Sequence, residues 1–372
     1  MNRTALYNAV LDNFENNYLW WGRQAVKAIL RALASQRIQE LMMPPYRVRT
    51  HILLYAPPGW VKSCFLTLTM LFAGPQNCHE LSKVSEPFLR GSTIGRGKNM
   101  EFVPPYVIQF PVFYTPEIGR LTNWKDIDMV QTWLELLEDG VFSTGLLKVA
   151  SLSTKKRENA EKKYERHGLT FTGPGSFAYV CRFVHLSATY NSKYLGDEAM
   201  NSRYEIVTPN GDLNGNLAGD MCEKDPILPD VNLIKEFTKT LFEEEHKLDS
   251  MEVNVPAELR DVRDVSPRVY RNVKSYVLSR RWWGLKTTKE EILLYAKEMM
   301  KSHRRTDRIE DQILLFVEDQ GEATAEDILK FTKELGHSRS WIYKTLKNLE
   351  RNGAVQIQRD PNDMRRKLYK PV

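Results

Sequence analysis

Long apolar runs are missing from this 372-residue chain, and the longest stretches, such as Cys64 to Ala73, fall well short of the roughly 20 residues that span a bilayer. Paired cysteines are missing too. Cys64, Cys78, Cys181 and Cys222 are widely spaced and none forms a CxxC pair, so a zinc site or disulfide framework is not expected and the cysteines read as free core residues in a reducing compartment. Nor is a secretory leader expected, because Asn2, Arg3 and an acidic residue at position 12 occupy the start of this sequence. Compositional extremes are absent as well. Hydrophobic residues at 42% and charged residues at 27% set aside disordered and collagen-like chains. The expectation is a cytoplasmic protein of two or three domains with no membrane segment.

Charge is present but uneven. Residues 338–372 hold nine Lys/Arg and three Asp/Glu, a surplus equal to the +6 of the whole chain. A basic tail on a near-neutral body points to a polyanionic partner for the tail, a solvated charged surface being the plainer alternative.

Periodicity gives the organisation. Leu6, Val10, Leu11 and Phe14, then Ala25, Val26, Ile29, Leu30 and Leu33, recur at helical spacing up to Pro44 and Pro45. His51 to Tyr55 reads as a buried strand that runs into Ala56-Pro-Pro-Gly59, and Lys62 to Phe72 as an apolar helix. Further apolar runs at Tyr106–Tyr114 and Val180–Ala188 flank a helical segment at Ile127–Leu137. Strands alternating with helices predict a mostly parallel, three-layer α/β sheet. A Gly/Asn/Asp/Pro-rich stretch follows at 210–229, then helical patterns at Leu233–Glu245 and Arg268–Lys301, then a polar linker at His303–Asp307.

Ala56-Pro-Pro-Gly-Trp-Val-Lys-Ser63 has the strand–loop–helix context of a phosphate-binding loop. The loop Pro58-Gly59-Trp60-Val61 would wrap the phosphates, backbone N–H groups at the helix start would cradle them, Lys62 would reach the terminal ones, and the Ser63 hydroxyl would ligate Mg²⁺. Ala56 and Val61 depart from GxxxxGK[ST], and a buried-stem lysine is the alternative.

At the other end, Asp311–Asp319 reads as a helix, Thr324-Ala-Glu-Asp327 as a capping box opening a second helix to Leu335, and Ser338 or Arg339 as the start of a third with Ile342, Leu346 and Leu349 inward. Val355 to Arg359, the turn Asp360-Pro-Asn-Asp363 and Arg366 to Tyr369 form a hairpin. This is the winged-helix plan, an α+β domain. Its third helix would present Arg339, Ser340, Tyr343, Lys344 and Lys347 to the major groove, with Arg359, Arg365, Arg366 and Lys367 on the wing holding phosphates. Winged helices also mediate protein contacts; the local charge favours DNA.

Between these ends the chain resembles the motor of MCM (minichromosome maintenance) AAA+ helicases. Trp21-Gly-Arg-Gln-Ala-Val-Lys-Ala-Ile-Leu30, Arg47–Leu54 and Arg90-Gly-Ser-Thr-Ile-Gly95 are similar to family segments around the phosphate loop, which there reads GDPGxAKS. Val112-Phe-Tyr-Thr-Pro-Glu117 stands where the family has a strand ending in Asp-Glu. The resemblance implies that Glu117 polarises the attacking water, but Pro116 replaces the Mg²⁺-supporting Asp, with Asp126 or Asp128 as substitutes, and Pro111 falls in an expected central strand. Leu186-Ser-Ala-Thr-Tyr-Asn191 resembles the sensor strand, implying that Asn191 positions water, although a turn residue is an equal reading. Asn201-Ser-Arg-Tyr-Glu-Ile-Val207 resembles LSRFDlif, implying that Arg203 is an arginine finger on a neighbour's γ-phosphate, and Ser266-Pro-Arg-Val-Tyr-Arg271 places Arg268 as a second sensor. The 145–179 segment stands for the pore hairpin, whose Lys155, Lys156, Lys162 and Lys163 would track DNA unless the interleaved Glu158, Glu161 and Glu165 mark a solvated helix.

The resemblance implies an AAA+ P-loop NTPase core at 1–230, a helical lid at 231–302 and a winged-helix domain at 303–372. It implies ATP and Mg²⁺ as cofactors, single- or double-stranded DNA as partner, and a hexameric homo-oligomeric ring acting as helicase or replication initiator. The family's N-terminal DNA-gripping domain is not expected within these 372 residues, and a separate replication partner is the expected source of it. The alternatives are an ATP-gated assembly that hydrolyses weakly or not at all, or a transcription regulator.

Overall fold

The computed structural model describes all residues except 18–21, 42–47, 57–61, 97–98, 122–126, 139, 146–149, 174, 191–202, 209–229, 245–247, 261–266, 304–308, 334–338, 360–362, 364–365 and 372. The chain divides into two units, one formed by Met1–Asn191 with Arg203–Ala296 and the other by Ser192–Ser202 with Lys297–Val372.

The first unit is built on five parallel strands, β1 (His51–Tyr55), β2 (Cys78–Glu80), β5 (Val112–Thr115), β9 (Val184–Thr189) and β10 (Tyr204–Val207), in the order β10-β1-β9-β5-β2. β5 and β9 are buried at every position and β1 at all but Tyr55, as expected of parallel strands covered on both faces. Register is fixed by pairs such as Ile52↔Leu186 and Val112↔Val184.

Helices α1 (Arg3–Asn17), α2 (Gly22–Leu41) and α3 (Lys62–Ala73) bury their periodic apolar faces in the same core. Leu6, Val10, Phe14, Ile29 and Leu33 are all at most 1% exposed, which is the stripe that the three- and four-residue spacing defines. Two small hairpin layers are inserted: β3 (Ser92–Ile94) with β4 (Glu101–Val103), and β6 (Val141–Gly145), β7 (Thr170–Gly173) and β8 (Ser176–Val180), with α6 (Thr154–Lys163) between β6 and β7. α4 (Glu86–Arg90) and α5 (Ile127–Glu138) complete this half. Four helices follow the sheet: α7 (Val231–Thr238), continued by a π turn at Lys239–Glu243, α8 (Ala257–Arg260), α9 (Pro267–Trp282) and α10 (Lys289–His303).

Three apolar or helical patterns resolve differently from the sequence expectation. Tyr106–Tyr114 is a 3₁₀ turn at Tyr106–Ile108 followed by β5 from Val112, so Pro111 precedes the strand instead of interrupting it. The Pro111 carbonyl accepts the Val184 N–H at 3.0 Å, and its missing N–H removes nothing from the ladder. Val180–Ala188 is the end of one strand and most of another, because the chain leaves the β6-β8-β7 layer and enters the parallel sheet within residues 181–183. The 268–301 pattern breaks after Trp282, where Gly284 takes φ 76° and Thr288 and Glu291 exchange cap bonds at 2.9 and 3.2 Å.

The second unit contains α11 (Ile309–Gln320), β11 (Ala323–Thr324), α12 (Ala325–Lys333), α13 (Arg339–Arg351), β12 (Val355–Arg359) and β13 (Lys367–Pro371). Its antiparallel sheet runs β11-β13-β12, and Ile313, Val317, Ile328, Ile342, Leu346, Leu349, Val355 and Tyr369 form a separate core. Thr324 and Asp327 bond reciprocally at 3.0 and 3.2 Å, forming the capping box that opens α12.

Candidate functional site

Each strand of a parallel sheet sends its chain onward from its carboxyl end, and neighbours whose onward connections diverge leave a crevice there. From β1 the chain leaves toward β2 at one edge, and from its neighbour β9 it leaves toward β10 at the other. The crevice therefore opens beyond Tyr55 and Thr189, where the Ala56 N–H reaches the Thr189 carbonyl at 3.2 Å.

Three side chains meet at this end. Lys62, the first residue of α3, is 9% exposed and donates from Nζ to the Ala56 carbonyl at 2.7 Å. Burial lowers its pKa, while the nearby Glu117 carboxylate acts in the opposite sense. Glu117 follows β5, and its Oε1 accepts from Thr189 Oγ1 at 2.8 Å and from the Gly119 N–H at 3.4 Å. Thr189 was not singled out by sequence. It stands two residues before Asn191 in the sequence.

Pro58, Gly59, Trp60, Val61 and Asn191 lie outside the described residues, as do Asp126 and the side chains of Ser63 and Asp128. The Pro116 side chain offers no oxygen to a cation, and among the described residues no three His, Cys, Asp or Glu side chains gather as a metal site. Lys62 and the start of α3 fit an oligophosphate, whereas among the described residues Glu117 alone stands beside it as a carboxylate for its Mg²⁺.

A second charged cluster surrounds Glu138, the last residue of α5. Arg203 Nη2 approaches Glu138 Oε2 at 2.7 Å, Arg268 bonds both carboxylate oxygens at 3.2 and 3.0 Å, and Arg271 Nη1 lies 3.6 Å from Oε1. Arg203 also donates from Nε to the Leu134 carbonyl at 2.8 Å. Burial alone would raise the Glu138 pKa, but the hydrogen bond from Arg268 and the charges of Arg203, Arg268 and Arg271 outweigh it and hold the carboxyl below its ordinary range. Three guanidiniums around one carboxylate leave a local surplus of positive charge. Glu138 and Arg271 were missed in the sequence because the cluster forms only when α5, the lead-in to β10 and α9 converge.

Arg203 directly precedes β10, and Tyr204 pairs with His51 at the start of β1. Lys62 lies past the other end of β1. Arg203 and Arg268 are thus gathered with each other on Glu138, and Arg203 stands at the sheet end opposite to the Lys62–Glu117 group of its own chain.

The candidate DNA-contacting residues separate into two groups. On α13, Arg339, Ser340, Tyr343, Lys344 and Lys347 are all exposed, while Ile342, Thr345, Leu346 and Leu349 are buried. Arg359 and Lys367 are exposed at the paired ends of β12 and β13, Arg366 is exposed beside them, and Arg365 is outside the described residues. Trp341, 40% exposed, adds an aromatic ring that sequence reasoning passed over. On α6, Lys155, Lys162 and Lys163 are exposed, but Lys156 is half-buried and donates to the Met100 carbonyl, so it does not join them. That correction arises from packing of α6 against β4, which helical spacing alone does not reveal.

A family model described as sugar-specific transcriptional regulator TrmB matches residues 310–372. No curated protein is similar to the chain by sequence. The matched segment lies wholly within the second unit. The fold is accordingly mixed α/β, with a parallel sheet and a C-terminal winged-helix-like DNA-binding domain. No helix among the described residues is long and apolar enough to cross a membrane.

Proposed function

We propose that this chain is a nucleotide-responsive DNA-binding regulator. Its winged helix engages duplex DNA, and its parallel-sheet unit is an AAA+-type module that takes ATP and hydrolyses it weakly or not at all. The observation that carries the reading is the pair of residues after β5, a proline at 116 followed by a carboxylate at 117 that Thr189 holds. Phosphoryl-transfer sites of this kind use one carboxylate to support the metal and a second to polarise water. Among the described residues only the second is in place.

Lys62 would exchange its Ala56 carbonyl for phosphate oxygens, and Ser63 would ligate Mg²⁺. Bound Mg²⁺ would supply neutralisation of phosphate charge. Glu117, oriented by Thr189, would accept a hydrogen bond from a water near the terminal phosphate. Binding without efficient turnover makes nucleotide an assembly signal, and DNA engagement then follows the assembled state.

The second reading is an MCM-like ring helicase or replication initiator. Three observations favour it. The sheet order, with the five strands counted along the chain, is 5-1-4-3-2. Arg203 and Arg268 share a partner, and Arg203 lies at the far end from its own chain's Lys62. On this reading those arginines would act on nucleotide held by a neighbouring copy.

Steady-state ATP hydrolysis by wild type, Pro116→Asp and Lys62→Ala, each with and without duplex DNA, separates the two readings. The regulator reading expects little turnover in wild type, ATP binding that Lys62→Ala abolishes, and at least a tenfold rise with Pro116→Asp. Fast, DNA-stimulated wild-type turnover unchanged by Pro116→Asp would overturn it in favour of the helicase.

A further inference from the structure

A cavity of about 490 Å³ lies at the amino ends of β9, β5 and β2, beside Arg182, Pro111 and Asn77, and under α2. Glu117 lies six residues along the chain from Pro111, roughly 20 Å in extended backbone, so the cavity and the Lys62–Glu117 group occupy opposite ends of the sheet. Its size falls within the range of about 300–1,000 Å³ for small-molecule sites.

Four of its lining residues carry buried polar atoms with no hydrogen-bond partner: Gln36 Oε1, Arg37 Nε, His167 Nδ1 and Arg182 Nε. Gln36 is fully buried, and its Nε2 is already committed to Glu40 Oε1 at 2.7 Å and the Arg182 carbonyl at 3.2 Å. Arg37 spends one terminal nitrogen on Glu40 at 2.7 Å and the other on the Glu244 carbonyl at 2.9 Å. Arg182 donates to the Glu40 carbonyl at 2.9 Å. Burial first, and then the Arg182 charge, keep His167 below its ordinary pKa, and it bonds the Val180 carbonyl. A neutral ring that donates through one nitrogen leaves Nδ1 as an acceptor. Leaving a buried polar atom unsatisfied is costly, so four of them around one cavity, without partners among the described residues, ask for an occupant.

The chemistry of that occupant follows from the lining. Arg37, Arg166 and Arg182 face Glu40 and Glu243, and Glu40 is already paired with Arg37, so the wall has a cationic surplus suited to one anionic group. Gln36 and His167 supply acceptors, which hydroxyl groups satisfy. Phe110, Phe183 and Phe242 supply an apolar side. We propose that this cavity binds a small hydroxyl-bearing anion, a phosphate ester or a hydroxycarboxylate, independently of the phosphate loop.

Isothermal titration of the whole chain with glucose 6-phosphate, citrate and inorganic phosphate tests this. The expected result is 1:1 binding of glucose 6-phosphate or citrate, weakened at least tenfold by Arg182→Gln and unchanged by Lys62→Ala. Arg166 is exposed, so Arg166→Glu keeps the test open if Arg182→Gln fails to fold; it should weaken binding at least threefold. No heat from either organic anion would mean that water alone fills the cavity. Binding lost in Lys62→Ala would move the anion to the phosphate loop, and inorganic phosphate binding as tightly as the esters would remove the hydroxyl recognition; each of these overturns the proposal.

Discussion

Among the described residues three guanidiniums converge on Glu138, since Arg203, Arg268 and Arg271 reach it from two other segments. A half-buried carboxylate holding three guanidiniums contributes stability in full above its ordinary pKa of 4.5 and loses it as pH falls below that value, because its folded pKa is depressed. Glu138→Gln keeps the shape but removes the charge, leaving three cations to repel one another. The expected cost is about 1–3 kcal/mol, read by urea denaturation at pH 7. If the cluster also presents arginines to another copy's nucleotide, the same substitution disorders Arg203 and Arg268 and weakens ATP-dependent assembly. Equal stability of wild type and Glu138→Gln at pH 7 would show that solvent, not the carboxylate, holds the arginines.

Within the central strands two histidines are committed to the neutral form by their neighbours. In β1, His51 Nε2 lies 2.9 Å from the Leu137 carbonyl while Nδ1 accepts the His185 N–H at 2.9 Å. In β9, His185 lies between Thr115 Oγ1 at 2.8 Å and the Tyr204 hydroxyl at 2.7 Å. Burial pushes His185 down to about 3, and burial and then the Arg49 charge hold His51 well below 6.5. The unfolded chain takes up protons that the sheet refuses, so stability is full above pH 6.5 and falls as pH drops below it. At pH 5.5 each histidine should cost about 1.4 kcal/mol. Denaturation at pH 7.5 and 5.5 measures the difference, and a flat profile would refute it. These strands also show how far the sequence was legible. His51 to Tyr55 could be placed from its unbroken apolar run, and α1, α2 and α13 from their spacing, because burial on one or both faces leaves a local pattern. The passage from β8 to β9 through 181–183 left none, since apolar residues on both sides look alike whichever sheet they join. For the same reason Lys62 and Glu117 were found through their loop context, whereas Thr189 and Glu138 matter through partners 72 and 130 residues away.

Over the whole chain, the surplus charge is confined to one stretch of sequence. The nine Lys/Arg against three Asp/Glu of residues 338–372 account for the net +6, and the remainder of the chain balances. Duplex affinity that arises from this end must depend on salt, because each cation placed on a phosphate releases a counterion and adds about 0.9 to the slope of log K against log salt. Lys344, Lys347, Arg359 and Lys367 are exposed on α13 and the β12–β13 wing. Replacing all four with Gln should flatten the slope by up to about 3.6 and weaken binding at every sequence alike, since phosphate contacts carry no sequence information. The exposed lysines of α6, Lys155, Lys162 and Lys163, provide the contrast. On the regulator reading their replacement leaves the duplex slope where it was, because the winged helix makes the phosphate contacts and the α6 lysines, interleaved with Glu158, Glu161 and Glu165, form a solvated face. Fluorescence anisotropy across a salt series distinguishes the two sets. A slope that falls with the α6 set and not with the C-terminal set would assign the DNA to the inserted hairpin layer, the element that an MCM-like ring would turn toward its channel, and the regulator reading would give way to the helicase.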